Sequence, residues 1–307
     1  MSVDERDGKR ASPIATEAAA ADYSGLDAWQ AGDILTAITA SNRRAIEAVE
    51  RAIPDLERAA LGIEERLRTG GRLIYVGAGT SGRLGLQDAA ELAPTFGFDD
   101  ATTLLAGGDA AQSKAKEGAE DDIAAAVQDV DAAGISARDA VVGIAASGAT
   151  PFTVAAIERA KELGAFTVGI ANNRGTPLLA VPHVGVLLET GPEVLAGSTR
   201  LAAGTAQKAA LNALSTTALV RLGGAYENLM VGMRPVNAKL RVRAVKIVAQ
   251  GAGVSEAVAA AALEAAGGDI RCAIVSAKSG ASVEAARAAL FAQAGNVRAA
   301  LKVLSNE

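Results

Sequence analysis

The chain has 307 residues, half of them hydrophobic and 3% aromatic, with a net charge of −5 and a single cysteine and histidine. That length suits one large α/β domain with a smaller appendage, and the charge and low aromatic content leave neither a basic stripe nor stacking platforms for nucleic acid. A zinc site is not expected because it normally needs several Cys or His ligands, and the lone Cys272 forms no internal disulfide and fits a reducing compartment.

Residues 1–24 are polar and Ala-rich, and their composition predicts a loosely held N-terminal segment. They lack an apolar leader core, and no run of about 18 apolar residues occurs anywhere, so a soluble cytoplasmic protein is expected. From Leu26 to Arg68 apolar residues recur every three to four positions, a helical rhythm that Pro54 should interrupt and "TGG" at 69–71 should stop. The rhythm then changes. "RLIYV" (72–76), "TTLLAG" (102–107), "DAVVGIAAS" (139–147), "AFTVGIA" (165–171) and "VGVLLET" (184–190) read as five short strands, with helical stretches between most of them. Such alternation predicts an α/β fold, a three-layer αβα domain on a parallel five-stranded sheet that binds its ligand at the carboxyl ends of the strands.

A long helix follows, "RLAAGTAQKAALNALSTTALVRLGG", then a linker-like "YENLMVGMRPVNAKL". From about Val242 the pattern is three short helices with glycine breaks at 251–253, 267–268 and 280. The expected division is thus 1–24, a domain over 25–241 including its N-terminal helices, and a small all-helical subdomain over 242–307. His183, in "AVPHVGVLL", reads as a structural or interface residue.

Three strand-to-helix turns carry hydroxyls. The first, "GAGTSG", contains Gly79, Thr80, Ser81 and Gly82 and has the G-x-G-x-x-G spacing of a dinucleotide loop. A nicotinamide-binding unit also needs an acidic residue about 20 positions later at the end of the next strand. Asp99 and Asp100 come before that strand, and Asp109 is about 27 residues past Gly82, so the dinucleotide reading is disfavoured. "AASGATP" contributes Ser147, Gly148 and Thr150, and "GPEVLAGSTR" contributes Glu193, Ser198 and Thr199. Taken singly, each hydroxyl fits an ordinary helix cap. Together they point to a pocket for a phosphomonoester, whose terminal phosphate offers acceptor oxygens to hydroxyls and to free helix N–H groups.

The segments "GGRLIYVGAGTSGRLG", "PTFG", "AGGD", "EGAEDD", "VVGIAASGATP", "GPEVLAGSTRLAAGTAQK", "LNALST" and "NLMV…NAKL", in this order over residues 70–241, resemble the N-acetylmuramic acid 6-phosphate etherase family of sugar isomerase (SIS) domain enzymes. The resemblance implies removal of D-lactate from the phosphosugar by elimination and hydration, in cell-wall amino sugar recycling, with no metal or redox cofactor. It also implies a homodimer with shared sites. The family's two catalytic glutamates fall on Glu91, in Asp88-Ala-Ala-Glu91, and on Glu120, in "EGAED". Glu91 is then the acid that protonates the departing lactate, and Glu120 the base at carbon 2. An acid role requires a raised pKa, and the flanking Leu92, Ala93, Pro94 and Phe96 suggest an apolar setting for Glu91. Glu120 stands among Glu117, Asp121 and Asp122, where like charge would raise its pKa. On the residues alone, Glu120 reads as part of a solvated acidic face and Glu91 is undecided.

Glu91 lies ten residues beyond Ser81, roughly 15 Å along a continuous helix. Either Gly85 delays the helix, or the loop and Glu91 serve different sites across a dimer, the preferred reading. The chain departs from the family pattern at Ala90, at Leu92-Ala93-Pro94, in the N-terminal "TEAAAADYSGLD", at Ser41-Asn42 and at Gly232. Two rivals remain within the same domain type. One is a non-catalytic sugar-phosphate sensor that keeps the hydroxyl turns. The other is an aldose–ketose phosphosugar isomerase with Glu193 or His183 as its base. An NAD oxidoreductase is a third, more distant one.

Overall fold

The computed structural model describes residues 14–113, 116–235 and 237–305. Helix α1 (Ala31–Arg51) and helix α2 (Ile53–Arg68) are divided where Pro54 enters the first turn of α2, the one place where its missing N–H costs no hydrogen bond. Then come β1 (Leu73–Gly77), α3 (Gly79–Phe96), β2 (Ala101–Leu105), α4 (Ile123–Ala132), β3 (Ala140–Ala145), α5 (Pro151–Glu162), β4 (Phe166–Ala171), α6 (Pro177–Ala180), β5 (Val184–Leu187) and α7 (Ala202–Leu219). The five strands form one wholly parallel sheet in the order β2-β1-β3-β4-β5.

Period-two alternation divides the sheet's side chains between two cores. Leu73, Tyr75, Val142, Ile144, Val168 and Ile170 face a core built with α1, α2 and α7. Ile74, Val76, Val141 and Ala145 face a second one with α4, α5 and α6. Both faces are buried, so the strands read as continuous apolar runs. In this strand order the chain leaves β1 toward β2 on one side and returns to β3 on the other. The crevice between β1 and β3 at their carboxyl ends is therefore the switch point where α/β sheets bind ligands.

A short antiparallel pair, β6 (Ala225–Tyr226) and β7 (Leu229–Met230), leads into α8 (Ala238–Ala252), α9 (Glu256–Ala265), α10 (Ile270–Ser279), α11 (Val283–Ala292) and α12 (Val297–Ser305). These helices enclose a third core containing Val248, Ile270, Ile274 and Leu290. Among the described residues the tail holds five helices rather than the expected three. Helix α8 begins inside the stretch read as a linker, with Asn237 capping Leu240 N–H at 2.9 Å, and Gly295 adds a break between α11 and α12.

The N-terminal segment also differs from expectation, although residues 1–13 lie outside the described residues. Thr16 is fully buried, its N–H donating to Asn173 Oδ1 (3.3 Å) and its Oγ1 accepting from Asn173 Nδ2 (3.0 Å). Gly197 N–H donates to the Thr16 carbonyl (3.2 Å), so residues around Thr16 are pinned to the α/β domain. Composition alone does not reveal a partner 157 residues away.

Candidate active site

β1 passes into α3 through Ala78 in extended backbone and Gly79 at φ +53°, a left-handed turn that glycine makes without steric cost. Among the described residues no side chain accepts from the first turn of α3, so its N–H groups there carry the positive end of the helix dipole without a side-chain acceptor. Helix α5 repeats the arrangement. Thr150 is its N-cap residue without a capping side-chain bond, and Pro151 opens it. The Ser147 hydroxyl folds back on its own turn, accepting from Ala149 N–H at 3.2 Å and lying 3.3 Å from Thr150 Oγ1.

The third turn is built differently. Glu193, 1% exposed, places one carboxylate oxygen on Ala202 N–H and the other on Ala203 N–H, both at 2.9 Å, and so closes the N-terminus of α7. Neither Ser198 nor Thr199 caps that helix. Glu193 is therefore a buried cap. Both oxygens accept from the start of α7 and Glu193 does not line the hollow at the ends of β1 and β3, which disfavours it as an isomerase base.

The turns after β1 and β3 and Thr199 converge on one hollow of about 420 Å³, which Glu17, Glu120 and Asp121 also line. Glu120 and Asp121 sit on a single 3-10 turn, and Asp122 instead caps α4 through Ala125 N–H (2.9 Å). Glu120 is exposed within the hollow. Ser81 is held at the wall by a buried polar chain. Its hydroxyl donates to Gln207 Oε1, Gln207 Nε2 to Asn172 Oδ1, and Asn172 Nδ2 to the Leu188 carbonyl, each at 2.9 Å.

Of the residues expected at the site, Gly79, Thr80, Ser81, Ser147, Thr150, Thr199 and Glu120 meet at this hollow. Gly82, Gly148, Glu193, Ser198 and Glu91 are not among its lining residues. Gly82 instead allows close packing, since a Cβ there would lie 2.6 Å from the Gly77 carbonyl oxygen. Gly148 turns against Thr176, whose hydroxyl would be 2.2 Å from an added Cβ. Glu91 is exposed in this chain, and the apolar setting expected for it is absent. Ser81, Gly85, Asp88 and Leu92 form the buried stripe of α3, and Glu91, one residue before Leu92, points away from it. Helix α3 is continuous from Gly79, so Gly85 does not delay it.

Glu17 and Asp121 are wall residues that the sequence reading missed. For Glu17 no local pattern signals a site, because the contact that positions its segment is with distant Asn173. The adjacent acid run did contain Asp121. His183 has the structural role expected of it. It precedes β5 at the amino edge of the sheet, opposite the hollow, and stacks on Phe166 with centroids 5.5 Å apart. Its Nδ1 accepts from Thr167 N–H at 3.1 Å. Burial, followed by the nearby Lys161 and Arg66 charges, lowers its pKa. Asp109 accepts from Gln112 (2.9 Å) and does not line the hollow, so the dinucleotide reading gains nothing.

The sequence matches the family described as glucokinase regulatory protein N-terminal SIS domain over residues 54–161 and the SIS domain family over residues 122–217. It is 48% identical over 268 residues to an N-acetylmuramic acid 6-phosphate etherase of Deinococcus radiodurans, spanning 87% of this chain and 88% of that protein. An etherase of the same name from Symbiobacterium thermophilum is 50% identical over 246 residues, 80% and 82% of the two chains. One from Rubrobacter xylanophilus is 46% identical over 276 residues, 89% and 90%.

Proposed function

From the premise that the chain belongs to the N-acetylmuramic acid 6-phosphate etherase family, we propose that it converts N-acetylmuramic acid 6-phosphate to N-acetylglucosamine 6-phosphate and D-lactate in cell-wall amino sugar recycling in the cytoplasm. No helix among the described residues is long and apolar enough to cross a membrane. The observation that carries the reading is one hollow at the strand-order switch lined both by Glu120, which has no partner among the described residues, and by the starts of α3 and α5.

The phosphate is held by the first-turn N–H groups of α3 and α5 and by the hydroxyls of Thr80, Ser147, Thr150 and Thr199, while Ser81, whose hydroxyl proton goes to Gln207, fixes the wall beside them. This fixes the open-chain sugar with carbon 2 near Glu120. The aldehyde at carbon 1 acidifies the carbon 2 proton, and Glu120 takes it. The electron pair forms the carbon 2–carbon 3 double bond as the bond from carbon 3 to the lactyl oxygen breaks. Glu91 gives its proton to that oxygen, and D-lactate leaves. Water then adds at carbon 3, returning a proton to the Glu91 carboxylate, while Glu120 returns one to carbon 2. This sequence balances without a metal or a redox cofactor.

Because Glu91 is exposed and stands roughly 15 Å along α3 from the loop, we assign it to the hollow of a second copy.

The test is incubation of the purified chain with N-acetylmuramic acid 6-phosphate in deuterated water. Release of D-lactate with deuterium at carbon 2 of the product is the expected outcome. Binding without lactate release would instead indicate a sensor, and an aldose–ketose conversion without lactate would indicate an isomerase.

A further inference from the structure

The C-terminal end of α3 meets the helical tail at Arg271, in the first turn of α10. Two hollows share Phe96, Gly97 and Arg271. One, of about 280 Å³, also contains Arg68, and the other, of about 450 Å³, also contains Arg234. Arg271 Nε has no access to solvent and no acceptor among the described residues. Its guanidinium forms no ion pair there. Burial pulls its pKa down, an effect that Asp269 only partly offsets.

The neighbours that could supply an acceptor do not. Gly232 and Gly295 flank the guanidinium, and ideal Cβ atoms on them would lie 3.1 Å from Nη2 and 2.8 Å from Nη1. Both positions carry no side chain. The nearby carboxylates are committed elsewhere. Glu64 is shared between Arg68 and Arg221, Asp99 takes Arg234 at 2.5 Å, and Asp269, which lines the larger hollow, caps α10 with one oxygen through Cys272 N–H at 3.1 Å and forms no ion pair with Arg271 among the described residues. In an acidic protein, this junction holds four guanidiniums against three engaged carboxylates. Arg271 is half-buried, its Nε sealed from solvent without an acceptor while the rest of the side chain borders the two hollows, and a sealed polar atom is normally paired.

We propose that this junction binds a small oxyanion, phosphate or the phosphate end of a metabolite, with its oxygens on the Arg271 guanidinium. A planar guanidinium matches two oxygens of one phosphate, and the surplus positive charge favours a dianion over a monovalent carboxylate. The site lies at the opposite end of α3 from the hydroxyl turns. It does not depend on the reaction proposed above.

The experiment counts inorganic phosphate bound per full-length chain by equilibrium dialysis, at ionic strength matched with chloride. Arg271→Met is expected to bind one phosphate fewer than wild type, while Ser147→Ala/Thr150→Ala, altered in the other pocket, keeps the Arg271-dependent one. Should Arg271→Met fold poorly, Arg271→Lys retains charge without the planar fork and is expected to weaken that phosphate tenfold or more. Equal phosphate counts in wild type and Arg271→Met, or unchanged affinity in Arg271→Lys, overturn the proposal. N-acetylglucosamine 6-phosphate as a second probe separates the sources. Its filling the Arg271 site assigns the site to a metabolite, and its exclusion while phosphate binds assigns it to the free anion.

Discussion

Helices α3, α5 and α7 all follow hydroxyl-bearing turns at the carboxyl edge of the sheet, yet only α7 is sealed. The buried carboxylate of Glu193 occupies its first N–H groups, whereas α3 and α5 have no capping side chain and open into the hollow that contains Glu120. Hydroxyls therefore do not distinguish an anion site from an ordinary helix start. The discriminating feature is whether the protein supplies its own acceptor.

The largest effect should come from Glu120, the carboxylate at the open ends that is proposed as the base. Glu120→Ala is expected to lower kcat by about 10³-fold with the fold intact, checked by lactate release and circular dichroism. If Glu120→Ala retained near wild-type turnover, the open ends would mark binding alone.

Two carboxylates that close their surroundings should act on stability instead. Asp139, at the amino edge of the sheet, is held at a pKa of about 2. Burial would raise it, but the Arg72 side chain and the N–H groups of Arg72 and Ser136 outweigh that effect. A depressed carboxylate pKa stabilises the fold above the unfolded value and loses that contribution as the pH falls. Stability should thus decline between about pH 4 and pH 2 by about 2 kcal/mol, and Asp139→Asn should lack that part of the decline in acid denaturation curves. Glu193→Ala leaves α7 open like its neighbours and should cost about 2 kcal/mol in urea titrations, partly recovered by added acetate. The absence of any acetate effect would mean that an opened helix end is not sufficient to attract an anion here.

A smaller effect is expected at the open turns. Ser147→Ala removes one hydroxyl and should raise KM about tenfold with kcat nearly unchanged, measured by steady-state lactate release. A matching fall in kcat would place that hydroxyl in the chemistry rather than in phosphate holding.

The sheet was legible because parallel strands buried on both faces are unbroken apolar runs. "RLIYV" and "AFTVGIA" mark β1 and β4 to within a residue of their ends. The first hydroxyl turn was legible because Gly79 needs a left-handed backbone. Less legible was anything decided by contacts distant in sequence. Glu193 looks like a site residue until its carboxylate meets the N-terminus of α7. Thr16 and Glu17 belong to a polar stretch whose docking depends on Asn173. In the tail, alanine-rich helices of similar composition hide their boundaries, and Asn237 and Gly295 mark breaks that periodicity does not reveal. For Glu91, helical rise alone gave the separation from the loop, but not which way the side chain points.

The central claim is that Glu120 of one chain works with Glu91 of a second. The most direct measurement is lactate release by dimers assembled from co-expressed Glu91→Ala and Glu120→Ala chains, each inactive alone. Random pairing should restore about a quarter of wild-type sites, because each mixed dimer has one site with both glutamates intact. No recovery from verified mixed dimers would contradict shared sites and turn attention to Glu17, the other glutamate at the wall of the hollow.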